Sequence, residues 1–422
     1  KDDTINGDNT NMDVNTKIKS EKEMKWKYHG GAISPIDNCI YCIPQSASHV
    51  LKIDPNVNAN VNNNDNDSES ETETVSFIGQ ELPGKYKWYG GLVGPSDGAI
   101  YGIPQNSGSV LRICPNAKSS ANDNSNSNSN NNADISITLH GSFDTNHAWH
   151  GGGLSSDGTI VCIPNNADTV LLIKPPQLLP TTMKTTEDEN ENDKRSIDNS
   201  NITSTSRGDS KSVKSVKHDQ MVAEPELCII GGPDVIATGK NAGRLDRKYK
   251  YLGSASDENC NVYCFPSGAE HVLRVNTSTM NVDEIGPSLW ESKLERLKQN
   301  KWQNGFYCPT DKCVYGIPLA AETVLKIDLN NRRYNSTCTK YGNTETDIDN
   351  VIDDRCKQGS EKGEVEPLIT TMGLPLEPYG GLAKWEGGVM TEDGRAMYCM
   401  PNNFKRVLKI TPTGAERTNA LR

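Results

Sequence analysis

Apolar residues in this chain come in short runs of four to six, parted by polar turns, and the runs themselves recur. Six copies of one module are legible: YHGGAISPIDNCIYCIPQSASHVLKI from Tyr28, WYGGLVGPSDGAIYGIPQNSGSVLRI from Trp88, WHGGGLSSDGTIVCIPNNADTVLLI from Trp149, YLGSASDENCNVYCFPSGAEHVLRV from Tyr251, WQNGFYCPTDKCVYGIPLAAETVLKI from Trp302 and WEGGVMTEDGRAMYCMPNNFKRVLKI from Trp385. Each opens on an aromatic and a glycine step, and a tight polar turn follows, such as Asp97-Gly98 or Asp157-Gly158. Asx-Gly pairs tolerate positive φ and mark hairpins. Next is a β-branched and aromatic run ended by Pro44, Pro104, Pro164, Pro266, Pro318 or Pro401, since proline cannot donate to a strand ladder. A Val-Leu run starts six residues after that proline in every copy.

These runs are strands a, b and c. A fourth, d, is read at TVSFIG, ISITLHG, LCIIGG, NVDEIG and LITTMG. Four antiparallel strands repeated radially predict an all-β fold, a six-bladed β-propeller of four-stranded antiparallel blades. It spans 14–422, with blades starting near 26, 86, 147, 249, 301 and 384 and a disordered tail over 1–13. The sixth copy stops after strand c, and Val14–Ser20 is expected to supply its missing strand d. A missing seventh blade and a truncated chain are the alternatives. The chain begins at Lys1, so an N-terminal piece is expected to be missing.

Four Asn-, Ser- and acid-rich tracts, 56–73, 116–134, 175–226 and 330–367, are expected to be disordered. All fall between strands c and d, so all leave on one face. The b–c loops and d–a connections on the other face stay compact, which makes that face the better candidate for binding, although neutral growth of low-complexity tracts predicts the same arrangement. One d–a connection, Ser288–Asn300, carries a capping box (Ser288, Glu291) with Trp290, Leu294 and Leu297 on one face, and predicts a short helix.

Composition narrows the partners. Net charge is −11 with no Lys/Arg-rich run, against a nucleic-acid footprint, and no apolar stretch is long enough to span a bilayer. Of twelve cysteines, Cys42, Cys162, Cys264 and Cys399 share one repeat position, where the other copies have Gly102 and Gly316. That position has little room, and Cys there acts as a small hydrophobe. The Cys39/Cys42 pair follows from the repeat and has no second pair at zinc spacing. Free thiols at repeat positions favour a reducing, cytoplasmic location; the pairing of Cys338 with Cys356 is left open.

Candidate ligand-binding residues sit between the aromatic and the glycines of strand a: His29, Tyr89, His150, Gln303 with neighbouring Asn304, and Glu386, Leu252 taking the same place in the fourth copy. With strand a innermost, they ring the channel mouth, although strand alternation could instead turn them between blades. The aromatics Tyr28, Trp88, Trp149, Tyr251, Trp302 and Trp385 read as interblade packing. No nucleophile elbow, phosphate loop or HExxH motif appears.

The GG…IYGIP…VLKIDP pattern resembles propeller-repeat proteins of algae and other protists, a resemblance that covers all six repeats and implies no activity. The chain is distantly similar to kelch repeats, without their Trp after the strand-b Tyr. It is also distantly similar to six-bladed calcium-dependent lactonases and phosphotriesterases, whose Glu, Asn and Asp ligands Glu386 and Asn304 match in part. The expected function is a non-catalytic scaffold that binds a protein or small ligand through the compact face, with no cofactor. The alternative is a calcium-dependent hydrolase or lactonase at the channel mouth.

Overall fold

The computed structural model describes residues 25–55, 75–115, 135–177, 223–236, 248–334, 365–373, 376 and 383–412. They form six antiparallel sheets and no helix. The first sheet is β1 (Tyr28–Ile33), β2 (Ile40–Pro44), β3 (Val50–Ile53) and β4 (Val75–Ile78). The second is β5 (Trp88–Val93), β6 (Ile100–Pro104), β7 (Val110–Pro115) and β8 (Ile135–His140). The third is β9 (Trp149–Leu154), β10 (Ile160–Pro164), β11 (Val170–Lys174) and β12 (Glu226–Ile230). The fourth is β13 (Tyr251–Ser256), β14 (Asn261–Pro266), β15 (Val272–Asn276) and β16 (Asn281–Ile285). The fifth is β17 (Trp302–Cys308), β18 (Cys313–Pro318), β19 (Val324–Tyr334) and β20 (Val365–Met372). The sixth has three strands, β21 (Trp385–Met390), β22 (Met397–Pro401) and β23 (Leu408–Ile410). Each sheet runs in chain order, and β1, β5, β9, β13, β17 and β21 lie innermost, each beside the next. This is a β-propeller.

Apolar residues of neighbouring blades share five clusters. Tyr41, Ile43 and Val50 of blade one pack against Trp88, Ile100 and Leu111 of blade two, and the same positions recur up to Tyr315, Ile317 and Val324 against Trp385, Met397 and Leu408. Burying a large apolar side chain contributes about 1.5–3 kcal/mol, so these layers carry most of the cohesion. The four tryptophans that open repeats, Trp88, Trp149, Trp302 and Trp385, are interblade residues as expected. Each indole nitrogen also donates to the carbonyl just before strand c of its own blade: Trp88 to Ser109 (2.7 Å), Trp149 to Thr169 (2.9 Å), Trp302 to Thr323 (2.8 Å) and Trp385 to Arg406 (2.8 Å). The cysteine position is as tight as its Cys/Gly alternation implied. A Cβ on Gly102 would stand 3.1 Å from the Leu111 Cβ, and Cys162, Cys264 and Cys399 are buried. Burial pushes their thiols up, Cys399 to about 12.

A second interblade device is a lysine directly before the aromatic. Lys87, Lys250, Lys301 and Lys384 are buried, and each ammonium reaches back to the b–c loop of the preceding blade. Lys87 donates to the Ala47 carbonyl (2.7 Å), Lys250 to the Asn166 carbonyl (3.1 Å) and the Asp168 carboxylate (2.8 Å), Lys301 to the carbonyls of Ser267 (3.0 Å) and Ala269 (2.8 Å), and Lys384 to those of Ala320 (3.1 Å) and Ala321 (2.7 Å). Burial lowers Lys87 to about 8 and Lys301 to about 7.

The step from blade six to blade one is different. Among the described residues no apolar cluster spans it. Tyr398, Met400 and Val407 are 37%, 49% and 57% exposed, whereas their counterparts Tyr315, Ile317 and Val324 in blade five are 0%, 0% and 5% exposed. On the facing flank Tyr28, Ile40, Leu51 and Ile53 are only half-buried. A cavity of about 830 Å³ opens there, lined by Tyr28, Leu51, Val75 and Phe77. Lys27, the blade-one copy of the buried lysines, is correspondingly exposed.

Two sequence expectations need correction. Ser288–Asn300 is not a helix. Ser288 does cap one turn, its Oγ accepting from the Glu291 amide (3.2 Å), but Lys293 enters the left-handed region at φ 61° and ends it. Glu295 then turns inward, and its carboxylate accepts from the amides of Arg296 (2.8 Å), Leu297 (2.9 Å) and Glu322 (3.1 Å). The buried glutamate is satisfied by loop amides that a helix would have consumed. Secondly, 330–334 and 365–367, placed in the fourth insertion, are strand: β19 and β20 pair through Tyr334 and Val365 beyond a bulge after Asp328. The other insertions lie mainly outside the described residues, as do Val14–Ser20, Cys338 and Cys356.

Candidate functional site

Strand a does not alternate simply, because its glycine step is a β-bulge. The register against strand b slips between Tyr28 and Gly31, Trp88 and Gly91, Tyr251 and Ser254, Trp302 and Gly305, and Trp385 and Gly387. The bulged residues Gly30, Gly90, Gly151, Gly253 and Asn304 have φ of 73°, 77°, 71°, 74° and 57°. Glycine reaches this region without penalty, and asparagine is among the side chains that best tolerate it. A bulge re-aims a side chain. Here the aromatic enters the interblade layer while its successor turns to the axis.

The result brings His29, Tyr89, His150, Gln303, Asn304 and Glu386 onto one cavity of about 230 Å³, floored by the backbones of the glycine steps. Leu252, sixth in the ring, is buried. Strand a starts at the end carrying the b–c loops, since Tyr28 and Trp88 pair with Pro44 and Pro104. The cavity therefore opens on the compact face.

The mouth has two halves. On one side the rings of His29, Tyr89 and His150 stack, with centroids 3.5 Å apart at both contacts and planes inclined 27° and 33°. On the other, Gln303 Nε2 donates to Glu386 Oε1 (3.0 Å), Asn402 Nδ2 to Glu386 Oε2 (3.0 Å) and Asn304 Nδ2 to the Glu386 carbonyl (2.7 Å). Burial lowers His150 to about 3, with His29 pushing the same way, so this imidazole is neutral. Burial also lowers His29, against the pull of Glu386, and raises Tyr89, with Glu386 adding to the shift. The stack is thus uncharged and the carboxylate is held by carboxamides alone.

Asn402 was not singled out from the sequence. It follows the strand-b proline, and its repeat partners Gln45, Gln105 and Asn165 are 5%, 5% and 0% exposed. Gln45 Oε1, Gln105 Oε1, Asn165 Oδ1 and His29 Nδ1 are buried with no hydrogen-bond partner among the described residues. The signal was a carboxamide directly after proline in four of six copies. Among the described residues no three His, Cys, Asp or Glu side chains are placed to hold a metal ion; the stack keeps Tyr89 between the two histidines.

No family model matches the chain, and no curated protein matches it. Among solved structures it is similar to a catalytically inactive virginiamycin B lyase from Staphylococcus aureus with quinupristin, at 11% identity over 92% of this chain and 82% of that one, with a TM-score of 0.48. A streptogramin B lyase matches at 10% identity over 88% and 75%, TM-score 0.42. A putative 6-phosphogluconolactonase from Bacteroides fragilis matches at 8% over 91% and 80%, TM-score 0.42. Likeness at this level carries no argument about chemistry.

Proposed function

We propose that this chain is a non-catalytic binding propeller that holds a small polar ligand at the compact-face mouth of its axis. The observation that carries the reading is convergence: residues from five blades, each in the one variable position of strand a, meet at a single cavity. A calcium-dependent hydrolase would need several carboxylate ligands converging there, whereas Glu386 is the one carboxylate lining the cavity. The ten described cysteines are unpaired, which fits a reducing compartment such as the cytoplasm. No helix among the described residues is long and apolar enough to cross a membrane.

The test is a thermal-shift and saturation-transfer NMR screen of small polar metabolites against the full chain. A hit is expected to lose at least tenfold in affinity in His29→Leu, which installs the residue blade four already carries as Leu252. Hits indifferent to that change, or none from the screen, overturn the reading.

A further inference from the structure

We infer that the ligand of the axial mouth is a small organic ammonium ion; this rests on the binding reading above and names its ligand class. Three observations select positive charge and donor capacity. Glu386 is the one formally charged side chain lining the cavity. Its two carboxylate oxygens accept from Gln303 and Asn402, both neutral carboxamides, and no cation pairs with it among the described residues. A carboxylate has about four acceptor positions, so roughly two are left for a ligand.

The buried lysines that precede Gln303 and Glu386 in strand a are already engaged. Lys384, two residues before Glu386, spends its ammonium on the Ala320 and Ala321 carbonyls of the preceding blade. Lys301 does the same at Ser267 and Ala269. The two imidazoles facing the cavity are neutral near pH 7 and so leave the carboxylate's charge uncompensated.

Among the described residues, the buried groups without a hydrogen-bond partner at this end include three carboxamide oxygens, the Ser267 hydroxyl and one His29 ring nitrogen, which donates or accepts according to its tautomer. Gln45 Oε1, Gln105 Oε1 and Asn165 Oδ1 stand in the repeat position that in blade six puts Asn402 against Glu386, buried and off the cavity wall, whereas His29 lines it. A primary ammonium brings three donors and no acceptor, the complement of the acceptor-only carboxylate of Glu386 on the cavity wall. An anion would face Glu386 with nothing to balance it, and a neutral polyol would hydrogen-bond the carboxylate without balancing its charge. The space of about 230 Å³ suits an occupant smaller than a drug-sized ligand. The chain's net charge of −11 draws cations toward the molecule as a whole.

The experiment uses three two-carbon compounds on the full chain at low salt: 2-aminoethanol as its ammonium ion, ethylene glycol and glycolate, followed by saturation-transfer NMR and melting temperature. The ammonium is expected to bind at least tenfold more tightly than the glycol, with glycolate weakest. Glu386→Gln, checked for an unchanged melting temperature without ligand, is expected to remove that preference. If glycol or glycolate binds as well as the ammonium and His29→Leu weakens it, the cation class is overturned while the mouth stands as a binding site. If the ammonium binds but Glu386→Gln leaves it unchanged, the inference also falls. If none of the three binds, the ammonium class is overturned, and the wider metabolite screen decides the mouth itself.

Discussion

At the scale of single residues, the glycines of strand a do two different jobs. Gly253 has φ 74°, and a Cβ there would stand 2.7 Å from the Asn304 amide nitrogen. Gly387 has no positive φ and open space where its Cβ would lie. Gly253→Ala is therefore expected to cost about 2 kcal/mol or more, and Gly387→Ala no more than about 0.5 kcal/mol, read from urea midpoints. The buried lysines make a separate prediction. Lys301 titrates near 7 in the fold against 10.5 when unfolded. The unfolded chain then holds its proton longer, so this group's contribution to stability is lost below about pH 7 and rises as pH climbs toward 10.5. Relative to Lys301→Met, the melting temperature of the unaltered protein should gain between pH 7 and pH 9; a difference flat in pH would contradict this. The axial residues were legible one by one, because a variable position inside an invariant frame is visible in the repeat. The lysine latch was just as visible, as Lys27, Lys87, Lys250, Lys301 and Lys384, but a lysine reads as solvent-facing until its carbonyl partners in the neighbouring blade are known.

At the scale of elements, strands b and c were read almost to the residue, since β-branched runs closed by proline have few other solutions. The Ser288 segment failed because a capping box and three spaced apolar residues are local signals. The inward turn of Glu295 onto the Glu322 amide is a contact across 27 residues of chain. The interblade faces allow a direct comparison. Val324 is sealed by blade six, and Val407, the same residue one blade on, is 57% exposed. Val324→Asp should cost more than about 3 kcal/mol by burying an unpaired carboxylate, and Val407→Asp no more than about 0.5 kcal/mol. Equal costs in a denaturation series would mean that the seam between blades six and one is covered.

At the scale of the molecule, the sequence by itself determined the number of blades, their strand order and which residue types ring the axis. All of these are written in spacing, which a repeat exposes without any knowledge of contacts. The tertiary structure alone decided where side chains point and what they meet. A period-two strand would have sent His29, Tyr89 and Glu386 wherever alternation dictated, and the bulge at each glycine step is what turns them to one cavity. Likewise the repeat implies six equivalent interfaces, yet only five are sealed among the described residues. A ring's last contact joins its two most distant segments, and no periodicity along the chain specifies it.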